Sequence, residues 1–285
     1  MLRVCFSTVA CPDWTLDRVC TFGAERGFAG VEFRTAGTRG GEFAADPALT
    51  DGAKVRRVLD DAAIQAACLA TSLTLDRPIL PPVLGRILPP AQEDVREGRS
   101  LIDISVEAGC ELVRVYPFRM HNNERRSSAL VRICDRLAKV VDHTRHKNVR
   151  VVLENGGDFG KAEDLAGILA SVGHPNLSAA YDIAYAAQAG DDPVDGVRLL
   201  GPDLALLRLR DRDDAGLPIE LGKGVLPCAQ AVGAIAETSP DAWVSTTWDR
   251  AWLGTNELPG PDRAIAHDAE RIMQWAGGAR LAGAA

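Results

Sequence analysis

Short β-prone runs alternate with amphipathic helical stretches along the chain, eight times over. The runs are Leu2–Phe6, Gly30–Phe33, Ala67–Thr71, Leu112–Tyr116, Val149–Leu153, Leu177–Tyr181, Leu204–Leu209 and Trp243–Thr246, spaced about 25 to 45 residues apart. Near-continuous apolar strands separated by helices pair in parallel and are covered on their outer face. Eight such units in 285 residues predict a single α/β domain, a (β/α)8 TIM barrel. A doubly wound sheet is the alternative, but no glycine-rich phosphate turn follows the first run.

The helical stretches carry their own punctuation. Asp13–Trp14–Thr15–Leu16 opens the first, and Gly27 stops it near Arg26. Ser127 to Lys147 reads as one long helix with Leu130, Ile133, Leu137, Val140 and Val141 as its apolar stripe. Pro193 starts a short helix, and Pro261 to Trp275 forms the last. The barrel is expected over residues 1–276, with Gly277–Ala285 as a loose tail. Two segments, Thr35 to Thr50 and Leu73 to Pro90, follow strands at the end where a barrel keeps its binding loops.

Composition excludes several classes. A net charge of −7 argues against nucleic acid as a partner. No apolar run reaches the ~18 residues of a membrane span, and no signal peptide precedes the first strand. A cytoplasmic protein is the expectation. The seven cysteines are scattered, contain no CxxC pair, and read as reduced, buried thiols.

The chemistry is expected at the polar ends of four runs in the second half. These are Val151–Val152–Leu153–Glu154, Ala179–Ala180–Tyr181–Asp182, Leu206 to Asp211 and Trp243 to Asp249. None of these tips carries a histidine. Of the five histidines, His143, His146, His174 and His267 read as surface or helix-end residues, and His121 is placed to approach the mouth.

Several motifs together resemble the sugar phosphate isomerase/epimerase superfamily of xylose isomerase-like barrels. They are Gly27 to Arg34, Val113–Arg114–Val115–Tyr116, Glu154 to Phe159, Tyr181–Asp182, Ala189 to Pro193, Leu209–Arg210–Asp211 and Leu221–Gly222–Lys223–Gly224. The resemblance runs nearly end to end and implies a divalent metal held by Glu, Asp, His and Glu from strands five to eight. Glu154 and Asp182 match the first two ligands. The histidine position is Arg208, and the last glutamate position is Thr247, before Trp248. Two further histidines that the resemblance leads one to expect are Gly156 and Tyr185 here.

An arginine stays protonated and cannot ligate a metal. Two carboxylates alone make a poor transition-metal site. No cofactor is therefore expected. The alternative is a rebuilt Mg²⁺ or Mn²⁺ site from Glu154, Asp182 and Asp249. A charge comparison suggests another solution. Three carboxylates with a dication leave one negative charge, and two carboxylates with one arginine leave the same. Arg208 is accordingly expected to bridge Glu154 and Asp182.

The resemblance implies proton transfer beside a carbonyl, which needs a base and an oxyanion holder. Glu154, Asp182, Arg208, Arg210 and Tyr185 are the candidate catalytic residues. Arg34, Arg114, Tyr116, Trp248, Asp249 and Trp252 are candidates for binding a small polar, sugar- or polyol-like substrate. For Arg34 and Arg114, a structural ion pair with Glu32 is the competing assignment. Leu221 to Gly224 reads as a tight turn rather than a phosphate cradle, and Asp211 to Asp214 as a solvated loop start. Three functions stay open: a metal-independent isomerase or epimerase, a lyase, dehydratase or cyclase of secondary metabolism with a larger apolar substrate, and a non-catalytic ligand-binding relative. A homodimer or homotetramer is a further expectation of the resemblance.

Overall fold

The computed structural model describes residues 2–36, 42–43, 52–77, 92–121, 123–249 and 258–282. Eight parallel strands close into a ring. They are β1 (Arg3–Ser7), β2 (Gly30–Ala36), β3 (Gln65–Thr74), β4 (Leu112–Tyr116), β5 (Arg150–Glu154), β6 (Leu177–Asp182), β7 (Leu204–Leu209) and β8 (Trp243–Thr246). Each pairs with the next, and β8 closes the ring on β1 through Arg3↔Trp243 to Phe6↔Thr246. All eight runs read from the sequence are strands of this TIM barrel, with only their ends displaced.

The helices are α1 (Leu16–Glu25), α2 (Gly52–Asp61), α3 (Glu93–Ala108), α4 (Arg126–Val141), α5 (Ala162–Val172), α6 (Ile183–Gln188), α7 (Pro193–Leu200), α8 (Cys228–Thr238) and α9 (Pro261–Ala282). Thr15 caps α1 by accepting from the Arg18 amide. Two ends differ from the sequence expectation. α4 stops at Val141 and gives way to a tight turn over Asp142–Thr144, where the buried Thr144 hydroxyl donates to the Val141 carbonyl. α9 runs past Trp275 to Ala282, so the expected loose tail is helical through that residue. Good helix formers around Gly277 and Gly278 outweigh the glycine pair.

The core has two layers. The larger lies between helices and ring and includes Val19, Leu69, Ile102, Leu137, Leu165 and Ile235. The smaller fills the barrel with Cys5, Cys68, Leu112, Val152, Leu206 and Trp243. Trp243 plugs the N-terminal end, where its indole N–H donates to Glu111 at 3.2 Å. Gly30 makes room for it, since a Cβ there would lie 2.7 Å from the ring. Strand alternation then sends Leu206 and Arg208 to the same side of β7, one layer apart. The interior is thus apolar at the bottom and polar at the top, where Ser7, Glu32, Arg114, Glu154, Asp182, Arg208 and Ser245 are buried. The cysteines are free, and none of the described helices is long and apolar enough to cross a membrane.

Candidate active site at the barrel mouth

Arg208 occupies the centre of the polar layer and is 1% exposed. Its Nη1 donates to Glu154 Oε1 at 3.0 Å and lies 3.5 Å from Asp182 Oδ2. Its Nη2 donates to Glu32 Oε1 and to Thr247 Oγ1, both at 3.0 Å, and its Nε to Glu32 Oε2 at 3.3 Å. The guanidinium therefore bridges Glu154 and Asp182, and also a third carboxylate. Burial alone would raise the Glu32 carboxyl, but Arg208 and Arg114 outweigh it and hold it at about 2. Burial works against the charge on Arg208 too, yet Glu154, Glu32 and Asp182 keep it well above the ordinary arginine value.

Two more guanidiniums flank the first. Arg114 Nη1 lies 3.1 Å from Glu154 Oε2 and 3.3 Å from Glu32 Oε1. Arg210 spans Asp182 Oδ2 and Asp249 Oδ2, both at 2.9 Å. The remaining Asp182 oxygen caps α6 by accepting from the Ala184 and Tyr185 amides. Asn155 locks the same strand tip, accepting from the Asp182 amide at 2.7 Å and donating to the Asp182 carbonyl at 3.1 Å.

Above this layer lies a cavity of about 440 Å³. Arg34, Arg114, Arg208, Arg210, Arg212, Tyr116, Tyr185 and Asp249 line it, with Thr71, Ser72 and Thr74. Glu32, Glu154 and Asp182 sit beneath the arginines and are not among its lining residues. Burial and the like charges of Arg114 and Arg208 lower the pKa of Arg34. Burial raises the Tyr116 phenol, which keeps it protonated. Arg210 stacks over the Tyr185 ring, 5.2 Å from its centre.

The sequence-derived residues thus converge, with named exceptions. Trp248 is 2% exposed, donates from its indole to the Pro259 carbonyl at 3.1 Å, and packs in the core instead of lining the mouth. Trp252 lies outside the described residues, as do residues 37–41 and 44–50 of the first long loop and residues 78–90 of the second. His121 turns its ring to the Asp76 carbonyl. Asp211 is not the start of a solvated loop: it is buried and accepts from the amides of Arg212, Gly222, Gly224 and Leu226. All four amides of the Leu221–Gly224 turn that would cradle a phosphate are spent within the protein: Gly222 and Gly224 on that carboxylate, Leu221 on Asp268 and Lys223 on the Glu220 carbonyl. At Gly224 a Cβ would lie 2.2 Å from Asp211 Oδ1.

Glu32 and Asn155 are the central residues that the sequence left in minor roles. Glu32 stands two positions before Arg34 on β2, so any alternation sending Arg34 inward sends Glu32 with it. Asn155 gave no chemical signal of its own, because its partners are mainly backbone groups. Among the described residues, no group of three or more His, Cys, Asp and Glu side chains is arranged to hold a metal ion.

The family model for xylose isomerase-like TIM barrels matches residues 20–275. No curated protein matches the chain. Among solved structures, an L-ribulose 3-epimerase superposes with a TM-score of 0.80 at 16% identity, covering 99% of this chain and 97% of its own. A probable 3-DHS dehydratase, AsbF, involved in petrobactin synthesis in Bacillus anthracis, gives 0.73 at 14% identity, covering 95% and 99%. The IOLI protein with a binding zinc atom gives 0.72 at 15% identity, covering 98% and 97%.

Proposed function

Since the chain belongs to the xylose isomerase-like TIM barrel family, we propose that it is an isomerase- or epimerase-like enzyme. It moves a proton on a small polar substrate, with Arg208 where the family resemblance implies a metal. The residues do not fit a divalent ion. A cation among Glu32, Glu154 and Asp182 would displace a guanidinium already within 3.5 Å of all three, and would face two more. The charged centre is larger than the sequence suggested. The centre holds three carboxylates and three arginines rather than two and one.

The carrying observation is a set of guanidiniums that face the cavity while their counter-ions lie behind them. Donors fixed this way stabilise the oxyanion of an enediolate without reorganising. Glu32, Glu154 and Asp182 act in this scheme by positioning. The described carboxylate that lines the cavity is Asp249, which makes it the proton acceptor in place of Glu154. Tyr116 and Tyr185 are the phenolic donors at the same face.

The test is deuterium incorporation beside the carbonyl, followed by NMR across a panel of aldoses and ketoses in heavy water. Incorporation should be insensitive to chelator, and Asp249→Asn should lower its rate at least ~100-fold. Incorporation that chelator abolishes and a divalent ion restores would sink the proposal. A non-catalytic binding protein is the second reading, favoured by the burial of Glu154 and Asp182 in ion pairs. It predicts ligand binding without incorporation. The arginine-lined cavity and the buried Trp248 speak against a large apolar substrate.

A further inference from the structure

Phe118 is held in a backbone conformation that aromatic residues rarely adopt. Its φ is +52°, in the left-handed region where a Cβ crowds the following carbonyl oxygen. Two turns interlock to impose it. The Phe118 carbonyl accepts from the Asp158 amide at 2.8 Å, and the Asp158 carboxylate accepts from the Met120 amide at 2.8 Å. Gly157, itself at φ +55°, lets the turns touch: a Cβ there would lie 2.0 Å from the Phe118 carbonyl oxygen. Packing does not account for the strain, because Phe118 joins neither layer of the core. It lines the mouth cavity instead. There it stands edge-to-face with Tyr116, the ring centres 5.6 Å apart and the planes at 87°. Phe118 and Tyr185 both border Gly156, whose missing Cβ would lie 3.7 Å from the one ring and 3.9 Å from the other. Tyr116, Phe118 and Tyr185 thus give the cavity an aromatic wall among its guanidiniums.

A ligand that fits such a space has two unlike sides. A six-membered ring with equatorial hydroxyls offers them: its axial C–H bonds form a flat apolar face, and its hydroxyls project from the edge. The apolar face suits an aromatic ring, and the edge suits hydrogen-bond donors. An open-chain polyol has no fixed apolar face and must freeze several torsions to present one. We propose that Phe118 is a specificity-determining residue that seats the apolar face of a ring-closed polyol, whose hydroxylated edge meets the guanidiniums. This rests on the proposed function and narrows its substrate class. A sugar closed through its own carbonyl has no carbonyl left, so proton transfer on such a ligand requires a ketone that is a member of the ring.

Isothermal titration calorimetry with scyllo-inositol and D-glucitol tests the assignment. Both probes are neutral and carry the same number of carbons and hydroxyls, one closed and one open. The ring is expected to bind at least ~10-fold more tightly, equivalent to about 1.4 kcal/mol. Phe118→Gly removes the aromatic face and relieves the backbone strain together. It should lose most of the preference for the ring and melt within ~5 °C of the wild type. Phe118→Leu keeps an apolar side chain without a flat face and should lose the preference as well. Equal affinity for the two probes, no binding by either, or a preference that survives intact in either variant overturns the proposal. A glycine variant that melts more than ~5 °C lower assigns the ring to packing and overturns it too. The titration needs no turnover. Ring preference without deuterium incorporation therefore refutes the catalytic proposal alone, and incorporation without ring preference refutes this one alone.

Discussion

Replacing Arg208 with methionine removes the cation that three buried carboxylates share. The size of the effect follows from Glu32. Its carboxyl is held at about 2 against an ordinary 4.5, although burial alone would raise it. That difference corresponds to about 3 kcal/mol of stability. Removing one partner of a buried ion pair typically costs about 3–5 kcal/mol, a large part of the ~5–15 kcal/mol that holds a domain together. Arg208→Met should therefore lose about 3–5 kcal/mol at neutral pH. The pH dependence sharpens the test. In the wild type, a depressed carboxyl contributes its full stability above about 4.5 and loses it as pH falls toward 2. In the variant, the Glu32 carboxyl loses the larger of its two guanidinium partners and rises, with Arg114 still opposing burial, so less stability is gained as pH rises. The two proteins should converge in acid and diverge toward neutrality. Urea unfolding at about pH 5 and about pH 8 measures both arms. A variant within ~1 kcal/mol of the wild type at both values, with the same slope, would refute the compensating role of the guanidinium.

Asp268 offers the opposite sign. Burial raises its carboxyl to about 6 despite hydrogen bonds from the Thr246 hydroxyl at 2.6 Å and the Leu221 amide at 3.0 Å. A raised carboxyl disfavours the folded state once both states are ionised, so this site should cost stability as pH climbs from about 4 to about 6. Asp268→Asn should be more stable than the wild type at pH 7, by up to about 3 kcal/mol, and should lose that pH dependence; calorimetric melting checks it. If Arg208 stands in a metal's place, Arg208→His with Thr247→Glu should recreate a Glu154–Asp182–His–Glu set. Metal analysis after dialysis should then find about one divalent ion per chain in the double variant. A folded double variant that takes up no metal would count against that equivalence.

Periodicity made the fold legible. The eight apolar runs bury both faces in a parallel sheet covered by helices, and the lack of a glycine-rich phosphate turn after the first run favoured the closed ring over a doubly wound sheet. The ends of elements were less legible where a single side chain decides them, as Thr144 does by taking the Val141 carbonyl at the end of α4. The site was half legible. Glu154, Asp182, Arg208 and Arg210 stand at strand tips, and alternation alone brings them inward. Glu32 was harder, because its weight comes from facing Arg208 across the barrel, 176 residues away in sequence. Trp248 could not be separated from a binding platform by sequence, since an aromatic residue beyond a strand tip serves packing and recognition equally well. Asp211 looked solvated because the acidic cluster after it is. Its burial depends on four amides, three of them from a loop that the sequence does not connect to it.

A guanidinium and a metal ion answer the same electrostatic need with different consequences. Both neutralise carboxylates that converge at strand ends. A metal ion is exchangeable, and open positions in its coordination shell accept substrate oxygens directly. Arg208 is tied to β7, its plane is fixed by Glu32 and Glu154, and it offers hydrogen bonds instead of a Lewis acid. A hydrogen-bonding cation polarises a neutral carbonyl less than a dication does. It is better suited to holding charge that is already present or that spreads over several donors. The site has that distribution: one guanidinium buried at the centre and four more around the same cavity.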